Sequence, residues 1–183
     1  MTNVAGRATA LTLVTPLRLG WGTWERALLW LARHFRFVTA PMRKMSFIHY
    51  AQWSLVNQLP GVDGLERLPA PTLFFQSNFS VSLDQYIDTF VHASPTRIRA
   101  VWLGARGRPW MFPFDRYLAW VSASSLANLH YYCAYPSATT TEVVAATAVR
   151  DEVPALRAAA RAGDGKGFEQ AWQSFLTKVQ HHL

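Results

Sequence analysis

Two periodicities run through this chain, one of about two residues and one of about 3.6, and the points where they exchange divide it into elements. Ala8 to Leu17 (ATALTLVTPL) alternates, is rich in β-branched residues and meets Pro16, which predicts a strand ending at a turn. Trp21 to Arg36 (WGTWERALLWLARHFR) changes to the helical period, with Trp21, Trp24, Leu28, Leu31 and Phe35 on one stripe. Met45 to Leu55 (MSFIHYAQWSL) and Thr72 to Phe79 (TLFFQSNF) are dense in aromatic and β-branched residues and read as neighbouring strands. Between them lies a predicted loop holding Pro60, Gly61, Asp63, Gly64, Pro69 and Pro71.

Ser82 and Gln85 then match a capping box ahead of Leu83, Tyr86, Ile87, Phe90 and Val91 at helical spacing. Ser94-Pro95 reads as an N-cap followed by Pro at the first helical position, opening a short helix that Gly104 stops. Residues 105–128 are punctuated by Arg, Gly and Pro, then turn aromatic, and follow neither period. Leu129 to Tyr135 (LHYYCAY) predicts a fourth strand closed by Pro136. Thr139 and Glu142 make a second capping box, opening a helix that Pro154 should kink or divide and that runs out by Gly163. A last amphipathic helix spans Gly167 to about His181, with Phe168, Ala171, Trp172, Phe175, Leu176 and Val179 on its apolar side.

The order strand, helix, strand, strand, helix, strand is the ferredoxin-like βαββαβ order, so the expected fold class is α+β. The whole chain, 1–183, reads as one such domain, with 139–183 as a helical C-terminal extension. An open sheet of this type covers one face with its own helices. Alternation puts Phe47, His49, Ala51, Trp53 and Leu55 on one face of the second strand and Ile48, Tyr50, Gln52, Ser54 and Val56 on the other. In the third strand Leu73, Phe75, Ser77 and Phe79 alternate with Thr72, Phe74, Gln76 and Asn78. Neither face is fully polar, so both need cover, by sheet-to-sheet packing in a homodimer or by the C-terminal helices.

Ser46 to Trp53 (SFIHYAQW) and Leu73 to Phe90 (LFFQSNFSVSLDQYIDTF) resemble a group of uncharacterised bacterial proteins that carry an FIHFARW-type strand and an SNFDGSLDEYIDDF-type strand-to-helix turn. Their arrangement resembles the dimeric α+β barrel superfamily, which includes haem-degrading and quinone-forming monooxygenases, dye-decolourising peroxidases and chlorite dismutases. The resemblance covers about 26 residues and rests on a structural turn, with no catalytic motif of those enzymes. Gln52 stands where the group has Arg, and Ser80-Val81 where it has Asp-Gly. The resemblance implies a homodimer that binds an apolar or aromatic small molecule in a sheet-lined cavity. An oxidoreductase of monooxygenase or peroxidase type, working without a cofactor or with haem, is implied by fold resemblance alone.

Within that frame the candidate catalytic residues are His49, Tyr50 and Asn78, His49 as base or ligand and the other two orienting substrate. Gln52, Trp53, Gln76, Tyr131 and Tyr135 are the candidate substrate-binding residues, amides and phenols among aromatics being the usual lining of a small-ligand pocket. His49 and His92 are the candidate haem ligands, and no other metal site is expected. For each a plainer reading exists: His49 as a core histidine bonded to backbone, His92 as a helix-end partner of Asp88, and the sheet residues as a solvated or dimer face. Asn78 also suits a cap on the following turn. GARGRP (Gly104 to Pro109) lacks the spacing of a P-loop, and His181-His182 read as a frayed end.

Composition changes this picture in one respect. Half of the 183 residues are hydrophobic and only 16% charged, which excludes disorder, but the net charge is +7. Arg7, Arg18, Arg26, Arg33, Arg36, Arg43 and Lys44 face Glu25 alone in the first 60 residues, which therefore hold +6 of it. They stand singly among apolar residues, with no basic run beyond Arg43-Lys44, which argues against nucleic acid. A membrane surface fits better: Trp21, Trp24 and Trp30 with Arg26 and Arg33 are the residues an interfacial helix uses, although Leu29 and Trp30 widen the apolar arc toward that of a helix buried on a sheet. The single cysteine, Cys133, excludes an internal disulfide, and Met1 to Gly20 lacks a secretory h-region. No stretch of about 18 apolar residues escapes an Arg, Asp, Glu or Lys, so no transmembrane segment is expected. The expected location is the cytoplasm, with a peripheral position at the inner membrane face as the alternative.

Overall fold

The computed structural model describes residues 4–35, 40, 45–128 and 130–181. Arg36, Arg43, Lys44, Leu129 and His182 of the sequence reading lie outside them. Four strands form one antiparallel sheet: β1 (Val4–Ala5), β2 (Ala8–Pro16), β3 (Ile48–Gly61) and β4 (Gly64–Phe79), in the order β1-β2-β4-β3. Six helices accompany them among the described residues: α1 (Trp21–His34), α2 (Leu83–Ala93), α3 (Pro95–Val101), α4 (Phe114–Ser124), α5 (Thr140–Ala162) and α6 (Gly165–Val179).

The sheet's central pairs set its two faces. Leu11, Leu13 and Thr15 stand opposite Ser77, Phe75 and Leu73, which in turn stand opposite Ala51, Trp53 and Leu55. This face carries the core, against Tyr86, Ile87, Phe90 and Val91 of α2, Ile98 of α3, and Tyr117 and Val121 of α4. Tyr86 stacks on Phe79 at 3.9 Å between ring centroids, and its buried hydroxyl donates to Ser77 Oγ, which donates to the Tyr50 carbonyl. The sheet's one buried serine on this face is thus paired, as a buried hydroxyl must be.

Local signals form where they are written. Ser82 and Gln85 exchange side-chain and backbone hydrogen bonds at the start of α2, and Thr139 and Glu142 do the same at α5. Pro95 opens α3 as its first residue. Pro154 neither divides nor ends α5, which continues to Gly163 in the left-handed conformation. Residues 105–128, aperiodic in sequence, contain α4.

Two expectations are corrected. The predicted loop between the second and third strands is mostly strand: β3 and β4 continue as a two-stranded ribbon to a tight turn at Val62-Asp63. Prolines are tolerated there because the stretch Leu68-Pro69-Ala70-Pro71 stands out of register, four residues against Asn57 alone, and Pro71 is bonded through its carbonyl, which accepts from the Leu17 N–H. The predicted fourth strand is absent, residues 130–135 being irregular. Its place, the outer edge of β2, is filled by short pieces of other chain segments. Val4–Ala5 pairs at one end, Ser125 and Leu126 bond Leu13 and Thr12 in the middle, and Arg106 donates to the Pro16 carbonyl at the other. An edge so covered has no room for a further strand.

The chain divides into two compact units, residues up to Ser137 and residues from Ala138. The second is the pair α5 and α6, tied by Lys178 Nζ to Glu152 Oε2 at 2.8 Å and begun at α6 by Asp164, which accepts from the N–H groups of Lys166 and Gly167.

Candidate functional site

On the sheet face away from α2, Tyr50 lies directly across from Asn78 and Gln52 across from Gln76, and Thr12 of β2 extends the second row. The parity that sequence left conditional is therefore met, and four of the candidate residues share one surface. Val14, Phe74, Ser54 and Val56 complete it, half-buried rather than covered. Trp53 is not part of this surface. Its ring packs on Phe75 at 4.7 Å on the core face, because adjacent strand residues point to opposite sides.

His49 departs from both faces. It is the extra residue of a bulge between the Ile48 and Tyr50 pairs, exposed, with Nε2 bonded to Ser80 Oγ. Partial burial lowers its pKa from the ordinary value, which favours the neutral ring. His92, in the last turn of α2, is also exposed; Nδ1 donates to the Asp88 carbonyl at 2.9 Å and lies 3.1 Å from its carboxylate. Neither histidine lines any of the cavities described below; the structure holds His49 on Ser80 through Nε2 and His92 on Asp88 through Nδ1. Tyr131 and Tyr135 belong to the irregular segment after α4, the first half-buried and the second exposed, rather than to a strand beside Tyr50. Among the described residues no cluster of three or more His, Cys, Asp or Glu is arranged to hold a metal.

The interior between β2, β4 and the helices holds a void of about 20 Å³ lined by Phe75, Tyr86, Trp102 and their neighbours. This is room for about one water, not for a substrate. Tyr117 borders it, and burial pushes its phenol up to about 12.

The helix α1 is seated about a quarter-turn away from the apolar stripe read from sequence, so that Trp21 and Leu28 of the stripe are half-buried and Trp24, Leu31 and Phe35 are not. Its inner side is Gly22 and Glu25, both buried, with Trp21 and Leu29 against the core. Gly22 permits a close approach, since a Cβ there would lie 3.1 Å from the Pro71 ring and the ring would have to give by a few tenths of an ångström. Trp24, Trp30, Leu31 and Phe35 are exposed, Trp30 at 57%. They form a ridge in which Trp30 packs against His34 at 4.4 Å and Phe35 at 6.4 Å. At about 100° per residue, Arg26 and Arg33 fall between Trp30 and the inner side, on one flank of the ridge.

Below that flank a cavity of about 550 Å³ separates the first turns of α1 from the irregular stretch of β4. Arg26 and Arg67 line it, with Asn57, Gln58, Thr23 and the Pro69–Pro71 backbone, and Leu19 stands at its rim. No Asp or Glu is among its lining residues. Sequence reasoning missed Asn57, Gln58 and Arg67. The available signal was Pro69-Ala70-Pro71, a sequence that regular strand pairing cannot absorb.

Comparison with family models, with curated proteins and with solved structures finds no match to this chain. Among the described residues no helix is long and apolar enough to cross a membrane.

Proposed function

We propose that the protein binds an anionic lipid surface through α1. The observation that carries this reading is the orientation of the helix: its Trp24, Trp30, Leu31 and Phe35 side faces outward while a glycine and a glutamate face the core. Exposing two indoles, a phenyl ring and a leucine on one short helix leaves apolar area in water that a bilayer interface would take up. Arg26 and Arg33, on the flank, stand where lipid phosphates would lie when the ridge enters the headgroup layer. The charge of residues 1–60 adds long-range attraction to such a surface. The test is co-sedimentation with phosphatidylcholine vesicles with and without phosphatidylglycerol. Binding to the anionic vesicles at low salt, weakened as salt rises, is expected; recovery of the protein in the supernatant under both conditions would eliminate the reading.

A second reading has its own observation, the shared surface of Tyr50, Gln52, Gln76 and Asn78. In it the sheet is a ferredoxin-like variant: β2, β4 and β3 take the places of the first, third and second strands, and β1 stands where the fourth would pair. Two copies then face these surfaces together, as in a dimeric α+β barrel, with an apolar or aromatic small molecule held between Phe74, Val14 and the amides. A light-scattering mass of one chain, 20.7 kDa, would remove it.

A further inference from the structure

Of the residues lining the cavity between α1 and β4, the lipid reading uses Arg26 alone. We propose that it is a binding site for a phosphate monoester, the dianionic group that two guanidinium groups from different elements neutralise. Four observations converge on this ligand class. The volume, about 550 Å³, is that of a small-ligand site, for which roughly 300–1,000 Å³ is usual. Arg26 comes from α1 and Arg67 from the ribbon, neither has a carboxylate partner among the described residues, and no acid lines the wall to compete for them. Guanidinium groups present paired donors that match phosphate oxygens, which a single ammonium does not. Asn57, in the same wall, has a buried Oδ1 with no hydrogen-bond partner, and a hydroxyl on the ligand beside its phosphate would supply the missing donor. The first turn of α1, which has no acidic residue and no side-chain cap, adds the Gly22 and Thr23 N–H groups at the same wall, while the Thr23 hydroxyl donates to the Gly20 carbonyl at 2.9 Å.

The site exists because four residues of β4 oppose one of β3. In a regular ribbon Leu68 to Pro71 would be paired and Arg67 would be carried away from α1. Such a phosphate has two sources, the headgroup of a monoester lipid or a soluble phosphorylated polyol. The two place different demands on the neighbouring ridge, since only the lipid needs it.

Glycerol 3-phosphate titrated calorimetrically is the soluble probe, and phosphatidylcholine vesicles containing phosphatidic acid, compared with phosphatidylglycerol at equal surface charge, are the lipid probe. Arg67→Ala alters the cavity without touching the ridge, Trp30→Ala the reverse, and both residues are exposed, so neither change should unfold the chain. Glycerol 3-phosphate should bind the native protein, and Arg67→Ala should weaken it by about tenfold or more, the loss of a hydrogen-bonded charge pair. Arg67→Lys should recover only part of this, and Trp30→Ala should leave it unchanged. A preference for phosphatidic acid that disappears in Arg67→Ala identifies the lipid as the source; glycerol 3-phosphate binding without that preference identifies the soluble one. Absence of both in the native protein, or their survival in Arg67→Ala and Arg26→Ala, overturns the site. Binding to phosphatidylglycerol is read separately, and Arg67→Ala and Trp30→Ala, which share no residue with the other reading, let the ridge and the cavity fail one at a time.

Discussion

Glu25 is the acid of the first 60 residues, and the fold buries it completely on the inner side of α1 with neither carboxylate oxygen hydrogen-bonded. A carboxylate in that position keeps its proton, and burial raises its pKa from 4.5 to about 7. The folded state therefore holds a proton that the unfolded state releases above the ordinary carboxyl pKa. Stability falls as pH rises from about 4.5, and the loss levels off above about 7, at on the order of 3 kcal/mol. Glu25→Gln removes this dependence. Thermal melts should show the variant more stable than native protein at about pH 8 and the two nearly equal at about pH 4; equal melting temperatures at both would contradict the buried, unpartnered carboxyl. Serine 82 offers a second residue-scale check. Ser82→Ala deletes the acceptor for the Gln85 N–H and should cost about 1 kcal/mol in denaturant unfolding.

Among the elements, α1 separates the two ways an amphipathic helix is used. Its apolar arc covers more than half the circumference, and periodicity alone assigns the centre of that arc, Trp24 with Leu31 and Phe35, to the core. The fold instead uses Gly22, because the Pro71 ring lies close against it and a larger side chain would have to push that ring aside. A Leu31→Glu substitution should consequently change folding stability by no more than about 0.5 kcal/mol, as surface substitutions do, yet abolish vesicle binding. A large loss of stability would show that the ridge is a packed face. The Trp24 Nε1 to Ala100 carbonyl bond, 3.2 Å, holds this indole at its root against α3 while leaving much of its face in solvent.

For the whole molecule, burial is concentrated in the unit that ends at Ser137. There the sheet and α2 to α4 share one core, whereas α5 has no buried residue and α6 only Val179. Amide hydrogen exchange should accordingly be slowest in β2, β4 and α2 and faster throughout α5 and α6, and equal protection across the two units would contradict this distribution. What could be read directly from residues was whatever depends on neighbours within a few positions. Both capping boxes, the Ser94-Pro95 helix start and the alternation that puts Tyr50 and Gln52 on one side of their strand and Gln76 and Asn78 on one side of theirs are of this kind, since an exchange of hydrogen bonds three residues apart or a period of two needs no distant partner; that the two sides form one surface was settled by the register between β3 and β4. Leu129 to Tyr135 has strand composition, but a strand also needs an open edge, and Val4, Ser125 and Arg106 reach that edge first. His49 lost its alternating position to a bulge, whereas Trp53 keeps the face that alternation gives it, opposite Gln52. Arg26 and Arg67, 41 positions apart, meet at one cavity only because the ribbon carries its extra residues beside α1. Caps, helix starts and the alternation within each strand were legible from the residues alone; whether Leu129 to Tyr135 paired, which side of α1 was buried and which cations came together was decided by tertiary packing, where space and free hydrogen-bonding edges are allotted among distant segments.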